Sequence, residues 1–507
     1  MSVLPPSRRP AAAVAPTKTS QRIYRSLRGQ ILDGSLRAGA PLASTRALAI
    51  ELAVSRSTVT AVYEQLAAEG YLETQRGKRA VVAAGVAPAP RQDREVGDQD
   101  FNHRDVSSYA RRISGFDPAT GTGTEPASVI DFRYGALSAD DFPLLAWRKA
   151  YNRILVQRQQ RLGYGEPEGE APLRQALRGY LHRARGLRCE ADQIVIVHGS
   201  QQAIALCTQL LVNPRDGVVV EDPGYVMARR VFEAAGAQVL PVPVDEQGLD
   251  TRRLPAKACK LIYLTPSHQF PLGGVLPINR RKELLAWAVR QRAWIVEDDY
   301  DGEFRYGMRP VDALQSIDDS NGVIYVGTFS KALSPQLRLG YVVLPTSLVA
   351  LFRQAKCLAD RHAPRLDQLV LAALIEDGSY ERHVRRCRRM NEQRRGTLLQ
   401  ALEKHLPEAV IVDGAASGLH MVIWLARVPA QDEARFAEHA RAHGVGIRPL
   451  SPLYASASSS RQRDCAGYVI GYASLPVEHI VPGVRRLATA LRKFPEVVRK
   501  DKQKLEL

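Results

Sequence analysis

Lys331 sits in the segment Val-Gly-Thr-Phe-Ser-Lys-Ala-Leu-Ser-Pro-Gln-Leu-Arg-Leu-Gly-Tyr, residues 326–341. A lysine amine can form a Schiff base with an aldehyde. Hydroxyls stand close before it at Thr328 and Ser330, and Arg338 follows seven residues later. Hydroxyls and a guanidinium are the groups that hold a phosphate. The spacing therefore predicts capture of an aldehyde that carries a phosphate. The apolar run 339–344 comes next and reads as a strand.

Other fragments with matching chemistry lie upstream, in order. Gly199-Ser-Gln-Gln-Ala-Ile opens a predicted helix directly after the apolar run 194–197. The first amides of that helix, with Ser200 and Gln201, can cradle a phosphate. Tyr225 follows the next strand in Glu-Asp-Pro-Gly-Tyr and is placed to stack on an aromatic ring. Asp298, in Asp-Asp-Tyr at the end of a strand from Trp294, can pair with a protonated pyridine nitrogen and strengthen an electron sink. Tyr300 can hydrogen-bond a phenolic oxygen on the same ring.

These residues need a scaffold, and the chain supplies one. Residues 128–492 alternate short β-branched runs with amphipathic helices, as in Gln193-Ile-Val-Ile-Val, Gly217-Val-Val-Val-Glu and Gly322-Val-Ile-Tyr-Val-Gly. That pattern predicts a largely parallel sheet covered on both faces. In open α/β sheets ligands bind at the C-terminal strand ends, where the fragments fall. Residues 1–21 read as a disordered arm and 22–83 as a separate small domain. The Ala/Pro-rich, then charged, then Gly/Thr-rich stretch 84–127 reads as a flexible linker, and 493–507 as a charged tail.

The 507 residues are enough for two or more domains, and 45% hydrophobic content allows a sizeable core. A net charge of +17 favours an anionic partner such as DNA. The six cysteines form no CxxC pair and none has zinc-ligand spacing with histidine, so no metal is expected. Scattered cysteines fit a reducing cytoplasm. No apolar run approaches the ~18 residues of a membrane span, so no membrane partner is expected.

In residues 22–83, Ile23, Leu27 and Ile31 recur at helical spacing, and Gly34 and Gly39 bracket a turn. A second helix starts after Ser44 or Thr45. The interval 53–56 leads to a third, capped by Ser55 or Ser57, striped by Val59, Val62, Tyr63 and Leu66, and ended by Gly70. Two strands then flank Gln75-Arg-Gly-Lys78. Two helices, a tight turn, a recognition helix and a basic hairpin describe an α+β winged helix-turn-helix. Ser55, Arg56, Ser57, Thr58 and Thr60 begin the recognition helix, with Arg46 on the helix before it and Arg76 and Lys78 on the wing. Such groups reach phosphates and base edges of double-stranded DNA.

Gly39-Ala-Pro-Leu-Ala-Ser-Thr-Arg-Ala-Leu-Ala, Leu52-Ala-Val-Ser-Arg-Ser-Thr-Val and Leu66-Ala-Ala-Glu-Gly-Tyr-Leu resemble the GntR-type winged helix. Ala43 takes the usual proline place, and Lys78-Arg79 replace the second wing glycine. From residue 130 to 492 the order of fragments resembles class I/II aminotransferases of fold type I, which use pyridoxal 5′-phosphate (PLP). With Leu264-Thr-Pro-Ser-His-Gln-Phe-Pro-Leu-Gly-Gly and Glu297-Asp-Asp-Tyr-Asp-Gly-Glu-Phe, the whole chain resembles the MocR-type branch of GntR regulators. The resemblance implies a multidomain chain: a winged helix, then an α/β PLP-dependent transferase fold with a small C-terminal α+β subdomain. It also implies a head-to-tail homodimer.

Two departures bear on function. The aminotransferase loop normally carries an asparagine that reaches the ring oxygen; here His268, Gln269 and Phe270 stand nearby. The C-terminal strand Gly467-Tyr-Val-Ile-Gly-Tyr-Ala lacks the arginine that clamps a substrate carboxylate; Arg448, Arg461 and Arg463 are the candidate substitutes. The favoured reading is a transcriptional regulator that binds operator DNA and senses PLP, or an amine or amino-acid effector, through Lys331. The alternatives are a working aminotransferase with an accessory DNA-binding domain, and a module that senses PLP alone.

Overall fold

Ile23 and Ile31 are buried on one face of α1 (Lys18–Leu32), with Leu27 packed between them, as their spacing requires. The computed structural model describes residues 18–75, 78–86, 106–116, 126, 128–156, 163–307, 311–455 and 463–495. Helix α1 begins inside the stretch expected to be a disordered arm, because Ile23 needs a full turn of helix ahead of it to be held in the core. Ser44 caps α2 (Thr45–Glu51), its hydroxyl accepting from the Ala47 amide at 3.1 Å. Ser55, rather than Ser57, caps α3 (Arg56–Ala68), accepting from Thr58 N at 3.1 Å. Arg56 is thus the first residue of the helix and not part of the turn. Val59, Val62, Tyr63 and Leu66 are buried against Leu48 and Ala49. Each such side chain contributes about 1.5–3 kcal/mol on leaving water. Strands β1 (Leu72–Glu73) and β2 (Val81–Val82) pair antiparallel, and Leu72 and Val82 close the core.

The chain divides into two units, residues 1–105 and 106–507. Among the described residues, the second holds an eight-stranded sheet in the order 194–197, 340–343, 323–328, 294–299, 261–264, 217–222, 238–245, 248–249. The six strands 194–197, 323–328, 294–299, 261–264, 217–222 and 238–245 point the same way. Strand Gly340–Val343 runs against its two neighbours, and Gly248–Leu249 folds back on Gln238–Asp245. The period of two sorts side chains to both faces. Ile194 and Ile196 join the core of helices Ala171–Arg185 and Arg365–Glu376. Val195 and Val197 join that of helix Ser200–Leu211. With both faces covered, the runs read as continuously apolar, which is why they were legible.

A second, antiparallel sheet runs 410–413, 420–429, 465–471, 448–449 and packs on helices Ser379–His405, Glu433–Ala442 and Val477–Lys493. The stretch expected to be a flexible linker contains an ordered piece. Ser107 caps helix Ser108–Ile113, and Arg112 donates from Nε to the Ala234 carbonyl at 2.7 Å. Arg230 lies 4.8 Å over the Phe116 ring. These contacts fasten residues 107–116 to helix Val226–Ala235. No helix is long and apolar enough to cross a membrane among the described residues.

Candidate functional site

The co-directional strands end at one edge of the sheet, and residues at or just past the ends of 194–197, 217–222, 261–264, 294–299 and 323–328 line a cavity of about 230 Å³. All eight residues expected to hold a cofactor line it: Ser200, Gln201, Tyr225, Asp298, Tyr300, Ser330, Lys331 and Arg338. Lys331 enters from just past strand Val323–Thr328, and its Nζ donates to the Gly135 carbonyl at 3.0 Å. Gly135 has φ +83°, and a Cβ there would lie 3.3 Å from Nζ. Burial lowers the lysine's pKa, opposed by Asp301 and Asp298. A less protonated amine is a better nucleophile.

Asp298 is buried. Its Oδ2 accepts from the Tyr263 hydroxyl at 2.6 Å, and its Oδ1 has no partner. Burial, reinforced by Asp299 and Asp301, pushes the carboxyl up to about 7, against the Tyr263 hydrogen bond and Lys331. An unpaired buried carboxylate oxygen facing a cavity calls for a donor. Glu221 is also raised to about 7 by burial and accepts from the Thr265 amide (3.1 Å) and hydroxyl (2.7 Å).

At the other end, Gly199 (φ +76°) is the N-cap of helix Ser200–Leu211. A Cβ there would sit 3.4 Å from the Arg338 guanidinium nitrogens. Arg338 donates from Nη2 to the His198 carbonyl at 2.8 Å. The Thr328 hydroxyl donates to Ser330 Oγ (3.0 Å) and accepts from the Ser330 amide (3.2 Å). Free helix amides, two hydroxyls and a guanidinium form an anion cradle. Tyr225 is edge-on to Phe270 with centroids 6.2 Å apart, and burial raises its phenol to about 12.

Sequence reasoning missed Tyr134, Tyr263, Asp301 and His420, which also line the cavity. Tyr263 comes from a strand interior and His420 from the small subdomain, where an aromatic residue reads as core. His420 donates from one ring nitrogen to the Pro271 carbonyl at 3.1 Å, and burial lowers its pKa to about 4. Gln269 closes its own loop through Pro223 O (2.9 Å) and Leu272 N (3.0 Å), while Phe270 lines the cavity. Neither Arg448 nor Arg463 lines it. Arg448 pairs with Asp131 at 3.1 Å, and Arg463 with Asp413 at 3.6 Å. Arg461 lies outside the described residues.

On the winged helix, Arg46, Ser55, Arg56, Ser57 and Lys78 are exposed and Thr58 and Thr60 half-buried. Ser55 binds the hydroxyls of Ser57 (2.8 Å) and Thr58 (2.7 Å), and Thr60 donates to the Arg56 carbonyl at 2.9 Å. Arg56 rests on Thr45 at 3.4 Å. All four hydroxyls, of Ser55, Ser57, Thr58 and Thr60, are thus engaged at the helix start; Ser57 stays exposed, and Arg46, Arg56 and Lys78 are the exposed cationic groups. Arg76 lies outside the described residues.

Comparison with known proteins agrees with this division. Residues 19–82 match the model of bacterial regulatory proteins of the gntR family, and residues 127–466 that of aminotransferase class I and II. YdeL, an uncharacterized HTH-type transcriptional regulator of Bacillus subtilis, is 34% identical over 93% of this chain and 96% of its own length. The probable rhizopine catabolism regulatory protein MocR of Rhizobium meliloti is 33% identical over 93% of each. The solved structure of Pyrococcus horikoshii kynurenine aminotransferase superposes with a TM-score of 0.66 and 29% identity, covering 72% of this chain and 91% of that one. The two matched regions, and relatives alike over nearly their whole length, place this chain in the MocR-type family of GntR transcriptional regulators, whose second domain has the fold of the PLP-dependent class I/II aminotransferases.

Proposed function

We propose that this protein is a PLP-dependent DNA-binding transcriptional regulator that holds its cofactor in the Lys331 cavity. The observation that carries the reading is the convergence, at one sheet edge, of a half-buried lysine, a buried carboxylate with an unpaired oxygen and an anion cradle. These groups fit PLP: Asp298 Oδ1 suits the pyridinium nitrogen, Tyr225 the ring face and Tyr300 the ring oxygen. Ser200, Gln201, Ser330 and Arg338, with Thr328, suit the phosphate. Bound PLP supplies an aldehyde that exchanges amines and a ring that withdraws electrons. The chain's own contributions are the Lys331 amine, whose pKa burial lowers, and the proton held on or near Asp298.

The effector is an amine, an amino acid or PLP itself, and it acts by binding two arrangements of the domain with different affinity. The segment that follows the winged helix in the chain is tied to this site's surroundings. Tyr225 is the N-cap of helix Val226–Ala235, whose far end is held by Arg112 of the linker. A head-to-tail homodimer would present two winged helices to a two-part operator, with Arg46, Arg56, Ser57 and Lys78 facing double-stranded DNA. Adding PLP to the purified protein should give a visible absorbance band that Lys331→Ala lacks. A band that survives that substitution would take the lysine out of the site.

Lys331 beside Asp298 also favours a second reading, a turnover aminotransferase. Many keto-acid equivalents per protein from an amino donor, with a second keto acid present to take up the amino group, would establish it, and a single half-turnover or none would not.

A further inference from the structure

Two buried groups, His268 and Asp301, meet the half-buried Tyr300 at one atom beside the cavity. His268 Nδ1 lies 3.0 Å from the Tyr300 hydroxyl and 2.9 and 3.1 Å from the two oxygens of Asp301. His268 and Asp301 are 4% and 2% exposed, and His268 Nε2 has no partner. One ring nitrogen cannot both accept from Tyr300 and face two carboxylate oxygens, because its lone pair would then point at them. The arrangement is satisfied when Nδ1 carries the proton and donates it toward Asp301, with the Tyr300 oxygen as a second acceptor.

That assignment leaves the phenol's own hydrogen free. Burial and the nearby carboxylates Asp301 and Asp298 hold the Tyr300 pKa well above its ordinary value, so the hydrogen stays on. Among the described residues His268 is the only hydrogen-bond partner recorded for the hydroxyl, and Tyr300 lines the cavity. Phe270, which closes the same wall, offers no donor of its own there beyond its backbone. The His268 ring has room only because position 418 is glycine: a Cβ there would lie 2.1 Å from its Cε1.

We infer that His268 and Asp301 form a positioning pair that turns the Tyr300 hydroxyl hydrogen into the cavity, as the donor to an anionic oxygen on the bound ring. The inference rests on the proposed PLP site. His268 touches no ligand itself; it acts through Tyr300. A donor to an oxyanion stabilises the charged form, so losing it moves the ionisation of the bound chromophore to higher pH.

The experiment is a pH titration of the visible absorbance of full-length protein loaded with PLP. Wild type and Lys331→Ala come first. A band in wild type that Lys331→Ala lacks keeps the site reading; no band in wild type ends that reading and this inference with it. Given the band, His268→Leu should raise its pH midpoint by about one unit, in the same direction as Tyr300→Phe, and the double variant should shift no further than Tyr300→Phe alone. His268→Asn keeps an N–H near the Nδ1 position and should restore most of the midpoint. An unmoved midpoint in His268→Leu, or shifts that add in full in the double variant, would overturn the inference. If His268→Leu fails to fold, Asp301→Asn replaces it in the same cycle, with the same two overturning results.

Discussion

Replacing Asp298 by asparagine should make the cofactor-free protein more resistant to alkali, even as it weakens the site. The carboxyl is raised from 3.8 to about 7 by burial in the folded state. Its folded value lies above its unfolded one, so folding takes up a proton between about pH 4 and 7, and stability falls as pH rises through that window. A rise of about three units at about 1.4 kcal/mol each amounts to about 4 kcal/mol, of which about 3 kcal/mol falls between pH 5 and 8. Asparagine has the same shape and no ionisation, so Asp298→Asn removes this slope. Glu297 and Glu303 are likewise raised to about 7 by burial, and their slopes are common to both proteins and cancel in the difference. Glu221, also raised to about 7 by burial, is held up in part by Asp298, so its slope shrinks in the variant and adds to the difference in the same direction. The assay is urea unfolding of PLP-stripped protein at pH 5 and pH 8, followed by tryptophan fluorescence. All four tryptophans, Trp147, Trp287, Trp294 and Trp424, lie in the second unit, so the signal reports that unit alone. With a slope of about 3 kcal/mol per molar urea, the variant's midpoint should gain about 1 M on wild type in going from pH 5 to pH 8. Parallel pH profiles in the two proteins would refute the reasoning, because Asp298 would then be ionised at no cost.

Three further outcomes are expected. Arg56→Ala should weaken operator binding about tenfold or more while leaving the visible absorbance unchanged; unaltered affinity in a competition assay would remove it from the reading face. Ser55→Ala removes the cap of α3 and should cost the winged helix about 1 kcal/mol, seen as a lower unfolding midpoint of the isolated transition of that unit. Arg112→Ala should leave PLP binding intact yet reduce the effect of ligand on DNA affinity; full retention of that effect would show that the linker contact carries none of it.

The parts of this fold that sequence reasoning located share a cause. The parallel strands are buried on both faces, so Ile194–Val197 and Val323–Thr328 could only be apolar, and their ends fix where Ser200, Asp298 and Lys331 must lie. The winged helix was legible because caps and glycines punctuate it at Ser44, Ser55 and Gly70. What stayed hidden is long-range. Tyr263 and His420 look like core residues until strands far apart in the chain bring them to the cavity. The Arg112 contact bridges 122 residues, and its segment has the composition of a linker. The sequence places His268, with Gln269 and Phe270, near the position of a missing asparagine but does not show its partners: it is one step removed from the cavity, held there by Asp301 and admitted by Gly418. None of these contacts has a local signature.

The central claim is that one chain couples PLP chemistry at Lys331 to sequence-specific DNA binding. Fluorescence anisotropy of the purified protein on the intergenic DNA upstream of its own coding region tests it most directly. The titration is made with and without PLP, at one fixed ionic strength and against excess competitor duplex. Salt must be fixed because a chain of net charge +17 binds any duplex electrostatically. Binding that survives competitor and whose affinity changes on adding PLP, in wild type but not in Lys331→Ala, is the expected result. Binding that competitor abolishes, or a PLP response that Lys331→Ala retains, would contradict the account.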